Sequence, residues 1–260
     1  MQLNPQRENF KDFYGSNVDQ MPKLIAEGRT PLSVEGLMKA RLQYGKDLPD
    51  WVNNYFDTGD GVAYSQDGRI KIVFDSKDLR EMNAQSKLRN GALILPVDHY
   101  DTLEGAEFTR KDIEKYIDKD LTKKQAKENP LLIALMRGKE FLGEVVDYIF
   151  AEGKETHGYD TMMGVYPDSA SSDHVKMRAW YVSGLGYWSG VSGGSDLGGG
   201  DGRFVGVAPE VQNGESENVS PNIKTYSPAD LKAMDNAIAN LEKTLLPDAL
   251  KPFKDLRKKL

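Results

Sequence analysis

Residues 181–202 are built almost entirely from Gly, Ser, Asp and Tyr, and they constrain this chain more than any other stretch. A flexible Gly/Ser linker has no use for Tyr187, Trp188, Val191 and Leu197. The segment is also too long for an ordinary hairpin loop, and loops beyond about 12–15 residues are usually functional or disordered. Strand-like runs bracket it, Met177 to Val182 before and Arg203 to Ala208 after. Its residue types are those of recognition loops. Aromatic rings give rigid contact area, and Ser and Asp give adaptable hydrogen bonds.

What the segment omits is equally specific. It contains no Lys, Glu, Gln or Met, although the chain is rich in Lys and Glu elsewhere. An Asn codon AAY with both adenines randomised yields Gly, Ser, Asp, Tyr, Val, Asn, His and Arg among others. It never yields Lys, Glu, Gln, Met or Trp. Trp188 is the exception and needs a different template codon, such as AGG.

The rest of the chain reads as short elements. Ser33 is placed to cap a helix through Leu37, Met38 and Leu42 that stops at Gly45, with Leu37 and Arg41 stacked as packing residues. Residues 62–65 and 69–74 flank Asp67-Gly68, a tight hairpin turn, with Arg69 and Lys71 on a wet face. Residues 91–97 form a short buried strand. Thr109 caps a charged helix containing Ile113, Tyr116 and Ile117, and Asn129-Pro130 opens another. Apolar residues from Phe141 to Ile149 follow helical spacing in a helix over about 139–151 that Gly153 ends. Residues 162–166 read as a strand, and residues 210–226 as a polar linker. Leu231, Met234, Ile238, Leu241 and Leu245 then form a narrow apolar seam, followed by a second short helix over about 248–259.

Composition excludes several classes. With no cysteine there is no disulfide framework, thiolate zinc site, iron–sulfur cluster or Cys nucleophile. A net charge of −6 argues against nucleic acid as a partner. The N-terminal residues lack a basic region followed by an apolar stretch, and no run approaches the length of a membrane span. The expectation is synthesis in the cytoplasm, without membrane insertion and compatible with association with a virion.

The motif Arg178-Ala179-Trp180-Tyr181, the Gly/Ser/Asp/Tyr segment and the run Gly202-Arg203-Phe204-Val205-Gly206-Val207 together resemble the variable proteins of diversity-generating retroelements, the archaeal members above all. In that family a reverse transcriptase copies a template repeat with errors at adenines, and the copy replaces a variable region of the target gene. The resemblance covers roughly residues 90–209, with its specific part at 178–208; residues 1–85 lie outside it. Variable regions of the family commonly close the chain, whereas here residues 210–260 follow.

The resemblance implies an α+β protein. Its C-type-lectin-like domain is expected over 86–209 and contains the variable segment 181–202, and the elements read from the residues add an N-terminal helical and hairpin region (1–85) and a linker with a C-terminal helical pair (210–260). Framework positions are expected at Leu185, Ser189, Leu197 and Gly202. Ligand-binding display positions are expected at Gly186, Tyr187, Trp188, Gly190, Val191, Gly193 and Gly194, and at Ser195, Asp196, Gly198, Gly199, Gly200 and Asp201. The implied partner is a protein or cell-surface molecule, bound without catalysis, metal or cofactor. The alternative is a structural or assembly protein, for example of a virus, in which the segment is a spacer.

Other motifs fall short. Asp57-Thr58-Gly59 matches an aspartic-protease triplet, but Asp60 follows where Ala or Ser is usual, so a turn before the hairpin is the expected reading. The Gly/Asp runs lack the tandem period of calcium-binding nonapeptides, so at most Asp196 and Asp201 could share a lone Ca²⁺. His99, His157 and His174 show no metal-ligand spacing. Formylglycine-generating enzymes share the lectin-like fold, but their chemistry depends on cysteines.

Overall fold

The computed structural model describes residues 9–168 and 173–208. The linker, the apolar seam and the C-terminal helices expected after residue 209 lie outside them.

One sheet organises these residues. Its main path runs Phe10–Tyr14, Arg203–Val207, Phe56–Tyr64, Lys176–Val182, Val191–Ser192, Val165–Tyr166. The first strand pairs antiparallel with the last, Phe10 opposite Val207 and Tyr14 opposite Arg203. Phe56–Tyr64 is central, pairing with Lys176–Val182, Arg69–Val73 and Arg203–Val207. All nine of its residues are buried, as expected for a strand covered on both faces. On one face lie Trp180, Val62 and Tyr64 with the helices Val34–Tyr44 and Lys139–His157. On the other lie Ala63, Met177, Ala179 and Phe204 with Met21 and Leu24 of the helix Asn17–Ala26.

This topology overturns the boundary expected at residue 85. Residues 10–14 and 56–73 supply strands at the edge and centre of the same sheet, and the described residues on either side of position 85 belong to one compact unit.

Local signals hold where a cap sets the element. Ser33 Oγ accepts from Gly36 N and Thr109 from Asp112 N, and Asn129 caps Pro130–Leu135 from its side chain. Several expectations fail: the strand expected over residues 91–97 spans only Ala92–Ile94, and the helix capped by Thr109 ends at Ile113, followed by a 3-10 turn over Glu114–Tyr116. The helix from Lys139 does not end at Gly153 but runs to His157, because Gly153 gives Met162 room to pack against the helix and Gly158 is its C-cap. Residues 162–166 form two short strands, split by the left-handed conformation of Met163. Lys71 is not on a wet face: it is 6% exposed, and its ammonium donates to the Tyr100 and Leu103 carbonyls, both at 3.0 Å.

The Asp57-Thr58-Gly59 triplet is not a turn either. The pairing with Lys176–Val182 slips between Ala179 and Tyr181, so residues 58–60 form a bulge inside the central strand. Neighbouring elements stitch the bulge in place. Thr58 Oγ1 donates to the Trp180 carbonyl at 2.8 Å. The Asp60 carboxylate accepts from Val34 N at 2.8 Å and Asp75 N at 2.9 Å. The bulge turns Asp57 toward residues 195–203, where the candidate site lies.

Candidate functional site

The segment after the Lys176–Val182 strand is tied down mainly through its backbone. Val191 N donates to the Gly164 carbonyl, Gly193 N to Tyr166, and Leu197 N to Gly91. Met163 N donates to the Trp188 carbonyl, Val18 N to Leu197, and Gly15 N to Gly202. Trp188 and Ser189 adopt left-handed backbone (φ 57° and 48°), an uncommon conformation for residues other than glycine.

Five side chains from outside the segment add to this grip, each donating to one of its carbonyl oxygens. Arg41 reaches Ser183 at 2.9 Å, Tyr159 reaches Gly186 at 3.3 Å, and Tyr64 reaches Gly193 at 3.1 Å. Arg178 reaches Ser195 at 2.6 Å and Tyr55 reaches Asp201 at 2.6 Å. A carbonyl is present whatever the side chain, so these bonds do not depend on residue identity at the positions they hold.

The expected framework residues Leu185, Ser189, Leu197 and Gly202 are all buried. Of the expected display positions, Gly186, Tyr187, Trp188, Gly194, Asp196, Gly198, Gly200 and Asp201 are exposed, and Gly199 is half-buried. Gly190, Val191, Gly193 and Ser195 are buried, which corrects the expectation for these four. Gly190 and Val191 are sealed by the Val191–Ser192 strand, which pairs on both sides. A Cβ on Gly193 would come within 2.8 Å of the Val62 side chain. Ser195 faces the sheet, where its hydroxyl binds Asp57.

A cavity of about 460 Å³ opens beside the segment. Tyr55, Tyr181 and Tyr187 stand among its lining residues, with Asp57 and Ser195, both nearly fully buried, and the exposed Asp196 and Asp201. Asp57 Oδ1 accepts from Ser195 Oγ at 2.6 Å and Oδ2 from Arg203 N at 2.7 Å. Asn17 Nδ2 donates to Ser195 Oγ at 3.2 Å. Burial pushes the Asp57 carboxyl up from its ordinary range, against the hydrogen bonds from Ser195, Arg203 and Asn17. Burial, with Tyr14 and Asp201 nearby, pushes the Tyr55 hydroxyl up to about 12, so it remains a donor at neutral pH. Beside the cavity mouth, Trp188 stacks on Tyr159 at 5.2 Å between ring centres, and Tyr159 on His157 at 5.0 Å.

The raised carboxyl gives a pH prediction with a definite sign. A group whose folded pKa exceeds its unfolded value adds stability that is complete below the ordinary carboxylate range and is lost as pH rises through the folded value. Asp57→Asn removes that titration and sets an amide against the Arg203 N–H, at a cost of about 1–2 kcal/mol. The stability gap between wild type and Asp57→Asn should therefore narrow as pH rises from 4, measured by urea unfolding at a series of pH values. A gap that widens would contradict the assigned direction.

Reasoning from sequence did not place Tyr55 and Asp57 in this site. Asp57 lies in the central strand and Tyr55 just before its start, and the pairing of Tyr181 with Asp57 brings them to the segment. The histidines do not converge: His99 bonds Asp78, His157 stacks on Tyr159, and His174 contacts Arg89. Among the described residues no group of three or more His, Asp or Glu side chains could hold a metal ion, and no helix is long and apolar enough to cross a membrane.

No protein-family model matches the sequence, and no curated protein matches it. A similarity search among solved structures finds one described as "Accommodation of massive sequence variation in Nanoarchaeota by the C-type lectin fold", with a TM-score of 0.60. It is 19% identical, and the match covers 76% of this chain and 97% of that one. With a central strand paired to both flanks of the segment, first and last strands joined, and this superposition, the chain has an α+β architecture of the C-type lectin fold.

Proposed function

We propose that this chain is a non-catalytic ligand-binding protein whose segment 181–202 is a diversified binding surface, varied by adenine-directed retroelement mutagenesis. The observation that carries the reading is the set of five side-chain donors, from Arg41, Tyr55, Tyr64, Tyr159 and Arg178, that hold the segment by its carbonyls. A surface fixed this way can change its side chains and keep its shape. The missing Lys, Glu, Gln and Met supply a second argument, and the similar solved structure concerns sequence variation on the same fold. Tyr187 and Trp188 are the natural anchors for a protein or cell-surface ligand, since aromatic residues dominate binding hot spots.

Deep sequencing of the gene and its neighbouring DNA across a natural population tests this. The expected result is substitutions at template adenines, concentrated in codons for the exposed positions 186–188, 194, 196, 198, 200 and 201. A template repeat and a reverse transcriptase gene should lie nearby. An invariant segment with no template repeat would overturn the reading and leave an assembly protein with a lectin-like domain.

A further inference from the structure

We propose that the cavity beside the segment takes a cationic side chain, the ammonium of a lysine or the guanidinium of an arginine, presented by a protein ligand. The proposal rests on the binding-surface reading above and names the chemistry that this variant selects. The exposed carboxyl groups of Asp196 and Asp201 share the cavity with the rings of Tyr55, Tyr181 and Tyr187, and no Lys or Arg among the described residues lines it. Arg203 and Arg178, which bond to lining residues through Arg203 N and Arg178 Nη1, have guanidinium groups with carboxylate partners of their own. Arg203 grips the Asp12 carboxylate, with Nε 3.0 Å from both oxygens. Arg178 is shared between Asp168 at 3.1 Å and the Ser195 carbonyl at 2.6 Å.

The cavity is therefore a concave site of one charge sign, which focuses negative potential and raises the local concentration of cations. Tyrosine faces add attraction for an ammonium or guanidinium through the ring quadrupole. A neutral sugar could stack on the same rings, but it would leave the carboxylates without a counter-charge as the site dried. The source of the cation follows from the rim. Tyr187 is 74% exposed and Trp188 40%, and the stack from Trp188 through Tyr159 to His157 extends outside the cavity. A small free polyamine would fill the cavity and leave that platform bare, whereas a protein surface covers both.

The test titrates the full chain, followed by NMR and calorimetry, with capped tripeptides carrying a central lysine, arginine or norleucine, and with spermidine and a methyl glycoside. The lysine or arginine peptide should perturb Tyr55 and Tyr187 resonances and the norleucine peptide should not. Asp196→Asn combined with Asp201→Asn should weaken cation binding by about fivefold, the scale of two partly exposed charge pairs. Added salt should weaken it as well. Asn at 196 keeps the oxygen that accepts from Gly198 N and Gly199 N at 3.0 and 3.1 Å, and thermal melting verifies that the double variant is folded.

Equal binding of the norleucine peptide would overturn the proposal, as would unchanged binding by the folded double variant. Preference for the glycoside would overturn it too, and spermidine binding tighter than either cationic peptide would overturn the protein source. Each of these outcomes leaves the diversified-surface reading to stand or fall on population sequencing alone.

Discussion

Replacing Arg41 by Ala is expected to lower the unfolding free energy by about 3–5 kcal/mol, the scale of leaving buried carbonyls without their donor together with a cavity the size of the side chain. Arg41 is fully buried in the helix Val34–Tyr44. Its guanidinium donates to the carbonyls of Trp51 at 2.9 Å, Asn54 at 3.0 Å and Ser183 at 2.9 Å. One side chain thus ties the helix Val34–Tyr44, the approach to the central strand and the start of segment 181–202. Desolvation lowers its pKa to about 10, so the group stays charged at neutral pH. Truncation leaves three carbonyls without their donor and a cavity the size of the side chain. Arg41→Met refills the volume without the bonds and should recover only part of the loss. Urea denaturation of both variants measures the difference, and an Arg41→Ala protein as stable as wild type would show that the carbonyls find other donors.

Gly202→Val should destabilise by about 3 kcal/mol or abolish folding, the upper range for overpacking a tight interior. A Cβ at this position would overlap Asn17 Oδ1 and sit 2.6 Å from the Gly15 carbonyl oxygen. Neither can retreat freely. Gly15 N is bonded to the Gly202 carbonyl at 2.9 Å, and Asn17 is part of the network of Ser195 and Asp57. Tyr187→Ala, in the same segment but 74% exposed, should change stability by less than about 0.5 kcal/mol. Paired melting curves of the two variants separate framework from display. Equal effects would mean that the segment is not divided in this way.

The contrast between these positions shows where the sequence was legible. Leu185 and Leu197 are apolar residues in a Gly/Ser/Asp background, and their burial follows from composition alone. Ser33, Thr109 and Asn129 announced helix starts because a cap is a contact over three residues. The burial of Val191 follows from the same rule as that of Leu185 and Leu197, whereas that of Ser195 does not, because a serine is buried only where an acceptor such as the Asp57 carboxylate takes its hydroxyl. Lys71 and Arg41 were hidden for a related reason. A charged residue reads as solvated or as mere packing until the carbonyls that solvate it internally are placed around it.

The sequence by itself determined the capped helix starts, the absence of thiol chemistry and the burial of Leu185 and Leu197. Those properties depend on residue type and on spacings of a few residues. Only the tertiary structure decided that residues 10–73 build the same sheet as the segment, and that a bulge at residues 58–60 turns Asp57 beneath it. It also decided that Tyr55 joins the cavity wall and that Arg41 reaches Ser183 across the core. These contacts join residues more than a hundred positions apart. They arise from strand register and from the need to pair every buried carbonyl, and neither leaves a periodic mark in the chain.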